Sequence, residues 1–157
     1  MAINLQYIFP TKEAQLQDAV ELFKEYARSL FISLEFQNFN AELDIINSMY
    51  GSPTGCLLLV YDNDKAVGCA AFRKIGEGIC ELKRMYIQPA YRGLHIGQTM
   101  LDLLFNKAKE YGYMAMRLDT LDSMLPALKL YRSNGFYEID AYYQNPNHGV
   151  VYMEKHL

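Results

Sequence analysis

The stretch Glu81–Lys109, ELKRMYIQPAYRGLHIGQTMLDLLFNKAK, carries the patterns of a strand, a turn and a helix in succession. Polar and apolar residues alternate from Glu81 to Ile87, and Pro89 has no N–H to donate to a neighbouring strand, so the strand should end before it. After the turn Arg92–Gly97, apolar residues recur at helical spacing. A glycine-bearing turn that leads into a helix leaves backbone N–H groups unpaired at the positive end of the helix dipole. The stretch therefore predicts an anion-binding turn suited to a phosphate or pyrophosphate.

This strand is the last of three apolar segments that tight turns join: Cys56–Tyr61, Ala66–Lys74 and Ile79–Ile87. Short turns join antiparallel neighbours, so these segments predict an antiparallel meander. A strand around Met114–Leu118 follows the helix, and a helical crossover between two strands predicts that they pair in parallel.

The other elements follow from the same patterns. In chain order they are a strand over Ile3–Phe9, a long helix capped by Thr11, a second helix over Ala41–Tyr50, a late helix capped by Asp122 or Ser123, and two last strands over Phe136–Tyr143 and Val150–Glu154. The order β-α-α-β-β-β-α-β-α-β-β predicts an α/β (α+β) fold, with a mostly antiparallel sheet flanked by helices.

Composition bounds the functional class. With 157 residues and neither a linker nor an internal repeat, residues 1–157 should form a single domain. A net charge of −3 with scattered basic residues argues against a nucleic-acid partner. Neither a membrane-length apolar run nor a signal peptide is evident, and the three cysteines lie in strand-like contexts, so we expect buried thiols in the cytoplasm. The three histidines lack metal-ligand spacing, which predicts no metal.

Two motifs carry a resemblance to a known family. The turn resembles the acyl-CoA signature Gln/Arg-x-x-Gly-x-Gly/Ala of the GNAT superfamily, the acetyl-CoA-dependent N-acyltransferases; Arg92 and Gly97 match its ends, and His95 stands where the first glycine is expected. The segment Ala127–Phe136, ALKLYRSNGF, is similar to the family's A-x-x-L-Y-x-x-x-G-F. Met124 occupies a position where the family usually has asparagine.

The resemblance implies acetyl-CoA as co-substrate and assigns its contacts. Tyr131 would hydrogen-bond the leaving thiolate and protonate it. A weakly acidic phenol suits this role. The backbone N–H of Met85 would face the acetyl carbonyl, where the strand ending at Ile87 splays from the strand that follows. The implied cofactor-binding residues are Met85, Tyr86, Ile87, Arg92, Gly93, Leu94, His95, Ile96, Gly97, Gln98 and Tyr131.

Two further roles stay open at the level of sequence. Glu81 lies four residues before Met85, hence on the same face of a regular strand, and is either a general base acting through water or a solvated residue at the start of a strand. Candidates for the acceptor site are aromatic and amide residues of the first helices and the late hairpin, which could instead pack the helices onto the sheet: Tyr26, Phe31, Phe39, Tyr143 and Asn145.

The predicted function is acetyl transfer from acetyl-CoA to a primary amine of a small molecule, an amino acid or a peptide, within a ternary complex. A rival hypothesis is a non-catalytic acyl-CoA-binding or sensing module with the same fold. A nucleotide-phosphate binder is disfavoured, because no magnesium-ligand pattern accompanies the turn. Dimers are frequent in the family, so a homodimer is also an expectation.

Overall fold

The structure is a computed structural model that describes residues 2–30 and 32–157. Its elements are β1 (Leu5–Ile8), α1 (Glu13–Ser29), α2 (Phe39–Asp44), α3 (Ile46–Met49), β2 (Cys56–Asp62), β3 (Lys65–Gly76), β4 (Ile79–Ile87), α4 (Ile96–Glu110), β5 (Ala115–Leu121), α5 (Leu125–Ser133), β6 (Tyr137–Ile139) and β7 (Val150–His156). The predicted order is confirmed, except that the second helix is two short helices, α2 and α3.

The seven strands of the described residues form one sheet in the order β1-β2-β3-β4-β5-β7-β6. Among these strands the β4–β5 pair is parallel, as the helical crossover through α4 predicts, and the other neighbours are antiparallel. The predicted mixed, mostly antiparallel sheet is therefore confirmed.

Helices cover both faces of this sheet. Leu58 and Val60 of β2 pack with α4 and α5, whereas Leu57 and Leu59 pack with the side of the sheet that carries α1, α2 and α3. The continuous apolar run of β2 follows from this arrangement, because each alternate side chain meets a helix. Within the described ranges, no helix combines the length and the apolar character that crossing a bilayer requires.

Several predicted boundaries are wrong, and hydrogen bonds explain three of them. Helix α1 begins one residue later than a Thr11 cap implies, because the Gln15 side chain accepts hydrogen bonds from the N–H groups of both Thr11 and Lys12. Helix α5 begins at Leu125 after Met124, not after Asp122 or Ser123, because residues 121–124 first form a turn that the hydrogen bond from the Met124 N–H to the Leu121 carbonyl closes.

The third wrong boundary is at β6, which ends at Ile139 rather than Tyr143. Beyond Ile139 the chain leaves β7, and two tyrosines turn towards the middle of the sheet. Tyr142 donates to a carboxylate of β4, and Tyr143 donates to a carboxylate of β5. These hydrogen bonds replace the backbone pairing that a longer strand would have made.

Strand β4 contains a β-bulge that the sequence does not announce. Lys83 lies opposite Ala71 and Tyr86 lies opposite Cys69, so Arg84 and Met85 together face one residue of β3. Arg84 has a φ of 56°, a left-handed conformation that side chains other than glycine seldom adopt.

The bulge shifts the alternation of β4 by one residue. Lys83 lies opposite Ala71 and Tyr86 lies opposite Cys69, and both of these β3 residues pack on the α1 side of the sheet. Lys83 and Tyr86 therefore lie on the α1 side, whereas Met85 packs on the α4 side. Glu81 pairs with Arg73 and shares the α1 side. The expectation that Glu81 and Met85 share a face is therefore wrong, because it assumed a regular strand.

A buried ion pair holds the bulge. Glu42 of α2 is 1% exposed and Arg84 is 5% exposed. The Arg84 Nε and Nη2 atoms donate to the two Glu42 carboxylate oxygens, each at 2.8 Å. Burial opposes the ionisation of Glu42, but the hydrogen bonds and the charge of Arg84 outweigh it and lower the pKa of the carboxyl. The pair thus ties α2 to the strained residue of β4.

Replacing one partner of this pair should destabilise the fold. We expect Glu42→Gln to lower the free energy of unfolding by about 3–5 kcal/mol near neutral pH, because it leaves the Arg84 charge buried without a counter-ion. The pKa of Glu42 is lowered on folding, so its stabilisation is present above the unfolded pKa and is lost as the pH falls through the lower, folded value. Urea unfolding at several pH values measures both effects.

The control is Glu21→Gln, which removes an exposed ion pair with Lys24 at 3.5 Å and should change stability by less than about 1 kcal/mol. Equal effects of the two substitutions would show that the Glu42–Arg84 pair does not hold the fold.

Candidate functional site

The turn between β4 and α4 has the backbone shape of an anion-binding loop. After a single 3-10 turn at Pro89–Tyr91, Gly93 has a φ of 83° and His95 a φ of 60°. His95 therefore adopts a left-handed backbone conformation. Glycine adopts this conformation most readily, which explains why the family signature has glycine at this position. Its side chain is exposed, so the histidine keeps the turn at the cost of some backbone strain.

The turn can accommodate a phosphate group. Residues 92–95 are exposed, and a Cβ built on Gly93 meets no atom within 4 Å. Helix α4 has 15 residues, and its first turn carries no acidic side chain. Its first N–H groups, which have no partner within the helix, can therefore bind an anion. Arg92 anchors the turn through a hydrogen bond of 3.1 Å from its Nε to the Ile87 carbonyl.

Strands β4 and β5 separate next to this turn. Their pairing stops at Glu81 and Arg117, while β5 continues to pair with β7 as far as Leu121. The expected splay is confirmed. A cavity of about 90 Å³ lies at the separation, where Met85 on β4 faces Leu118–Leu121 on β5 and the wall is completed by α5 and by the connection between α1 and α2.

Tyr131 of α5 points at the bulge across this cavity. Its ring packs edge-on against Phe136 at 5.7 Å, and its hydroxyl donates to the Met85 sulfur at 3.8 Å. Burial raises the pKa of Tyr131, so its phenol stays protonated through neutral pH. Met124, at the start of α5, also lines the cavity, and its sulfur accepts a hydrogen bond from Thr120 in place of any contact that an asparagine would make.

Gln98 fixes the distance between α4 and α5. Its amide exchanges two hydrogen bonds with the amide of Asn134, at 2.7 and 2.9 Å. Gln98 was predicted to bind the cofactor, and the structure uses its side chain to join the first turn of α4 to the end of α5. Its backbone N–H remains in the first turn, where the predicted contact lies.

Glu81 lies away from this cavity. Its side chain is 4% exposed, and its two oxygens accept hydrogen bonds from Arg73 Nε at 3.2 Å and from the Tyr142 hydroxyl at 2.6 Å. The carboxylate is therefore a buried member of a charged cluster, not a solvated residue at the start of a strand.

A second, larger cleft of about 490 Å³ lies on the α2 side of β4. Glu81, Arg73, Glu42 and Lys83 contribute its charged lining. Gln37 and Lys83 line both cavities and so mark the boundary between them.

The predicted acceptor residues have different locations. Tyr26 and Asn145 line the first cavity, and Tyr143 lines the second. Phe39 is buried and its ring covers the Arg84 guanidinium at 5.2 Å. Phe31 lies outside the described residues.

Three site residues were not identified from the sequence: Gln37, Lys83 and Asp119. Asp119 directly follows the apolar positions of β5 and accepts hydrogen bonds from the Tyr143 hydroxyl and from Asn145 Nδ2, the latter at 2.8 Å. A single acid just beyond an apolar strand is the signal that could have identified it. No group of three or more His, Cys, Asp and Glu side chains in the described ranges is arranged to hold a metal ion.

Known proteins share this fold and sequence pattern. Residues 16–136 match the model of the acetyltransferase (GNAT) family. The chain is 41% identical over 140 residues to an uncharacterised N-acetyltransferase of Schizosaccharomyces pombe, covering 88% of this chain and 86% of that protein.

Solved structures agree with the fold. A GNAT-family acetyltransferase from Staphylococcus aureus superposes with a TM-score of 0.81 at 20% identity, over 98% of this chain and 99% of the other. The PaiA N-acetyltransferase of Thermoplasma acidophilum, solved in complex with coenzyme A, superposes with a TM-score of 0.75 at 19% identity, over 99% of this chain and 100% of the other. The family model and the relative at 41% identity show that this chain belongs to the GNAT family of acetyltransferases and is an acyltransferase enzyme.

Proposed function

We propose that this enzyme transfers the acetyl group of acetyl-CoA directly to a primary amine of a small molecule, an amino acid or a peptide. The observation that carries the proposal is the position of the Tyr131 hydroxyl, 3.8 Å from the Met85 sulfur at the place where β4 and β5 separate. A buried phenol at this place suits a reaction that releases a thiolate, and a module that only bound acyl-CoA would not need it.

We propose that acetyl-CoA binds to the turn before α4 and to the free edge of β4. GNAT enzymes use this co-substrate, and the Thermoplasma neighbour was solved with coenzyme A. We propose that the N–H groups of residues 92–98 bind the pyrophosphate, and that the backbone of Met85–Ile87, on the strand edge that β5 leaves unpaired, binds the pantetheine arm. The Met85 N–H would stabilise the negative charge that develops on the acetyl oxygen.

The proposed reaction is a direct displacement at the thioester carbon. The neutral amine attacks the thioester carbon, a C–N bond forms, and the C–S bond breaks as the electron pair moves to sulfur. Tyr131 donates its proton to the departing thiolate and recovers it from solvent. The amine gives up one proton, and a carboxylate that lines the cavity is the natural acceptor.

We propose Asp119 for this role. It lines the cavity beside Met85 and Tyr131, and it is held by the Tyr143 hydroxyl and the Asn145 amide. Glu81, the candidate from the sequence, is held by Arg73 and Tyr142 in the neighbouring cleft, so we propose that it positions the Tyr142 segment. We place the enzyme in the cytoplasm, since its three cysteines are free and buried, and a homodimer remains a prediction.

Substitutions at Gly97 and His95 test whether the turn binds acetyl-CoA through its backbone shape or through its side chains. A Cβ on Gly97 would lie 3.0 Å from Leu130 Cδ2 and 3.5 Å from Met85 Cε, so Gly97→Val should push α4 away from the cavity. We expect it to weaken acetyl-CoA binding at least tenfold in calorimetric titration. His95→Gly keeps the left-handed turn and should bind acetyl-CoA as tightly as the wild type; a large loss there would mean that the imidazole itself contacts the cofactor.

Tyr131→Phe should lower kcat by about 100-fold, because it removes the proton donor to the thiolate. The acetyl-CoA affinity should change by less than about twofold, because the ring still packs against Phe136. Turnover and calorimetric binding are measured together, with Tyr137→Phe, which removes an exposed hydroxyl on β6, as the control. Equal losses of turnover and affinity in Tyr131→Phe would show that Tyr131 serves packing alone.

Asp119→Asn and Glu81→Gln form a matched pair for the proton acceptor. We expect Asp119→Asn to lower kcat/KM by roughly 100-fold, since an amide cannot take the proton. Glu81→Gln should lower kcat/KM much less, because Glu81 positions the Tyr142 segment and takes no proton. The opposite pattern would assign the base to Glu81.

A further inference from the structure

The boundary between the two cavities carries an unpaired hydrogen-bond acceptor and a cation that is only loosely paired. The buried Gln37 Oε1 atom has no hydrogen-bond partner among the described residues. The Gln37 amide is oriented by its Nε2 atom, which donates to the Tyr143 hydroxyl at 2.9 Å, while that hydroxyl donates to Asp119. An N–H donor on a bound molecule would satisfy this buried acceptor.

Lys83 lies across the same boundary with its charge incompletely compensated. Its Nζ is 3.8 Å from a Glu81 oxygen and 4.0 Å from a Glu42 oxygen, both longer than a hydrogen bond. Each of these carboxylates already has a closer cation, Arg73 at 3.2 Å for Glu81 and Arg84 at 2.8 Å for Glu42. The cluster thus holds three cations and two carboxylates, with Lys83 in excess.

Surrounding groups make Lys83 receptive to an anion. Burial, and after it the charge of Arg84, lowers the pKa of Lys83 to about 8. Arg73 also lowers this pKa, whereas Glu81 and Glu42 raise it. A carboxylate placed beside the ammonium would stabilise its charged form. On β5, Asp119 presents the opposite charge to the first cavity, where the amine of an acceptor would react.

We infer that the acceptor is an amine that also carries a carboxylate, an α-amino acid being the simplest, with the carboxylate bound by the Lys83 ammonium and an N–H bonded to Gln37 Oε1. This inference rests on the proposed amine acetylation. The amine then points into the first cavity towards Asp119 and Tyr131, and the side chain of the acceptor extends into the larger cleft. Lys83 is a specificity residue in this arrangement and takes no part in proton transfer.

The test compares acetylation of each genetically encoded α-amino acid with that of its carboxamide. The pair differs by one negative charge at nearly equal size. The carboxamide has the less basic amine, so more of it is free at neutral pH and the comparison works against the inference. We expect kcat/KM for at least one amino acid to exceed that for its carboxamide by about ten- to a hundredfold, as for a charge-assisted hydrogen bond. Carboxamides accepted equally well throughout would overturn the inference.

Variants assign this preference to Lys83. Lys83→Met should abolish the preference for the carboxylate through KM while acetyl-CoA affinity stays constant, and Lys83→Arg should retain most of it. Lys109→Met, an exposed lysine at the end of α4, is the control and should keep the full preference. If Lys83→Met lowered activity equally for both members of a pair, Lys83 would have a structural role and the inference would fail.

A binding experiment separates this inference from the proposed function. N-acetyl derivatives of the same amino acids and of their carboxamides are titrated calorimetrically into the enzyme saturated with coenzyme A. Preference for the N-acetyl amino acid, lost in Lys83→Met, supports the carboxylate site even if no turnover is found. Turnover of amines without any carboxylate preference in binding or kinetics would support the proposed function and overturn the inference.

Discussion

The ion pair between Glu42 and Arg84 is the constraint on which the site depends. It joins α2 to the one residue of β4 that adopts a left-handed backbone, and it does so inside the protein, where both charges are satisfied by bidentate hydrogen bonds. A strained backbone residue persists only when its surroundings favour it, and here the surrounding cation–π contact with Phe39 and the carboxylate of Glu42 do so. The bulge then turns Met85 towards α5.

The bulge places the residue that faces Tyr131 and the charged residues of β4 on opposite sides of the sheet. Without the extra residue, Glu81, Lys83 and Met85 would share one face of β4. With it, Met85 meets Tyr131 on the side of α4 and α5, while Glu81 and Lys83 join Arg73 and Glu42 on the side of α2. One strand thereby lines two cavities of different character, an opening between β4 and β5 and a charged cleft beside it.

The late segment between β6 and β7 completes the enclosure. Tyr142 and Tyr143 reach from it to Glu81 and Asp119, so the same segment contacts β4 and β5 on either side of their separation. Each tyrosine donates its neutral hydroxyl to one of these carboxylates.

The sequence by itself determined the order of the elements and the parallel β4–β5 pair, because apolar periodicity and turn residues are local properties and a helical crossover joins parallel strands. The motif residues Arg92, Gly97 and Tyr131 followed from the resemblance to the GNAT family. It could not locate the bulge, since Arg84 is an ordinary residue in an ordinary alternating pattern and its left-handed backbone is stabilised by Glu42, 42 residues earlier. For the same reason the sequence placed Glu81 beside Met85 and overlooked Gln37, Lys83 and Asp119. Only the tertiary structure decided which charges meet, because burial and ion pairing depend on contacts between distant parts of the chain.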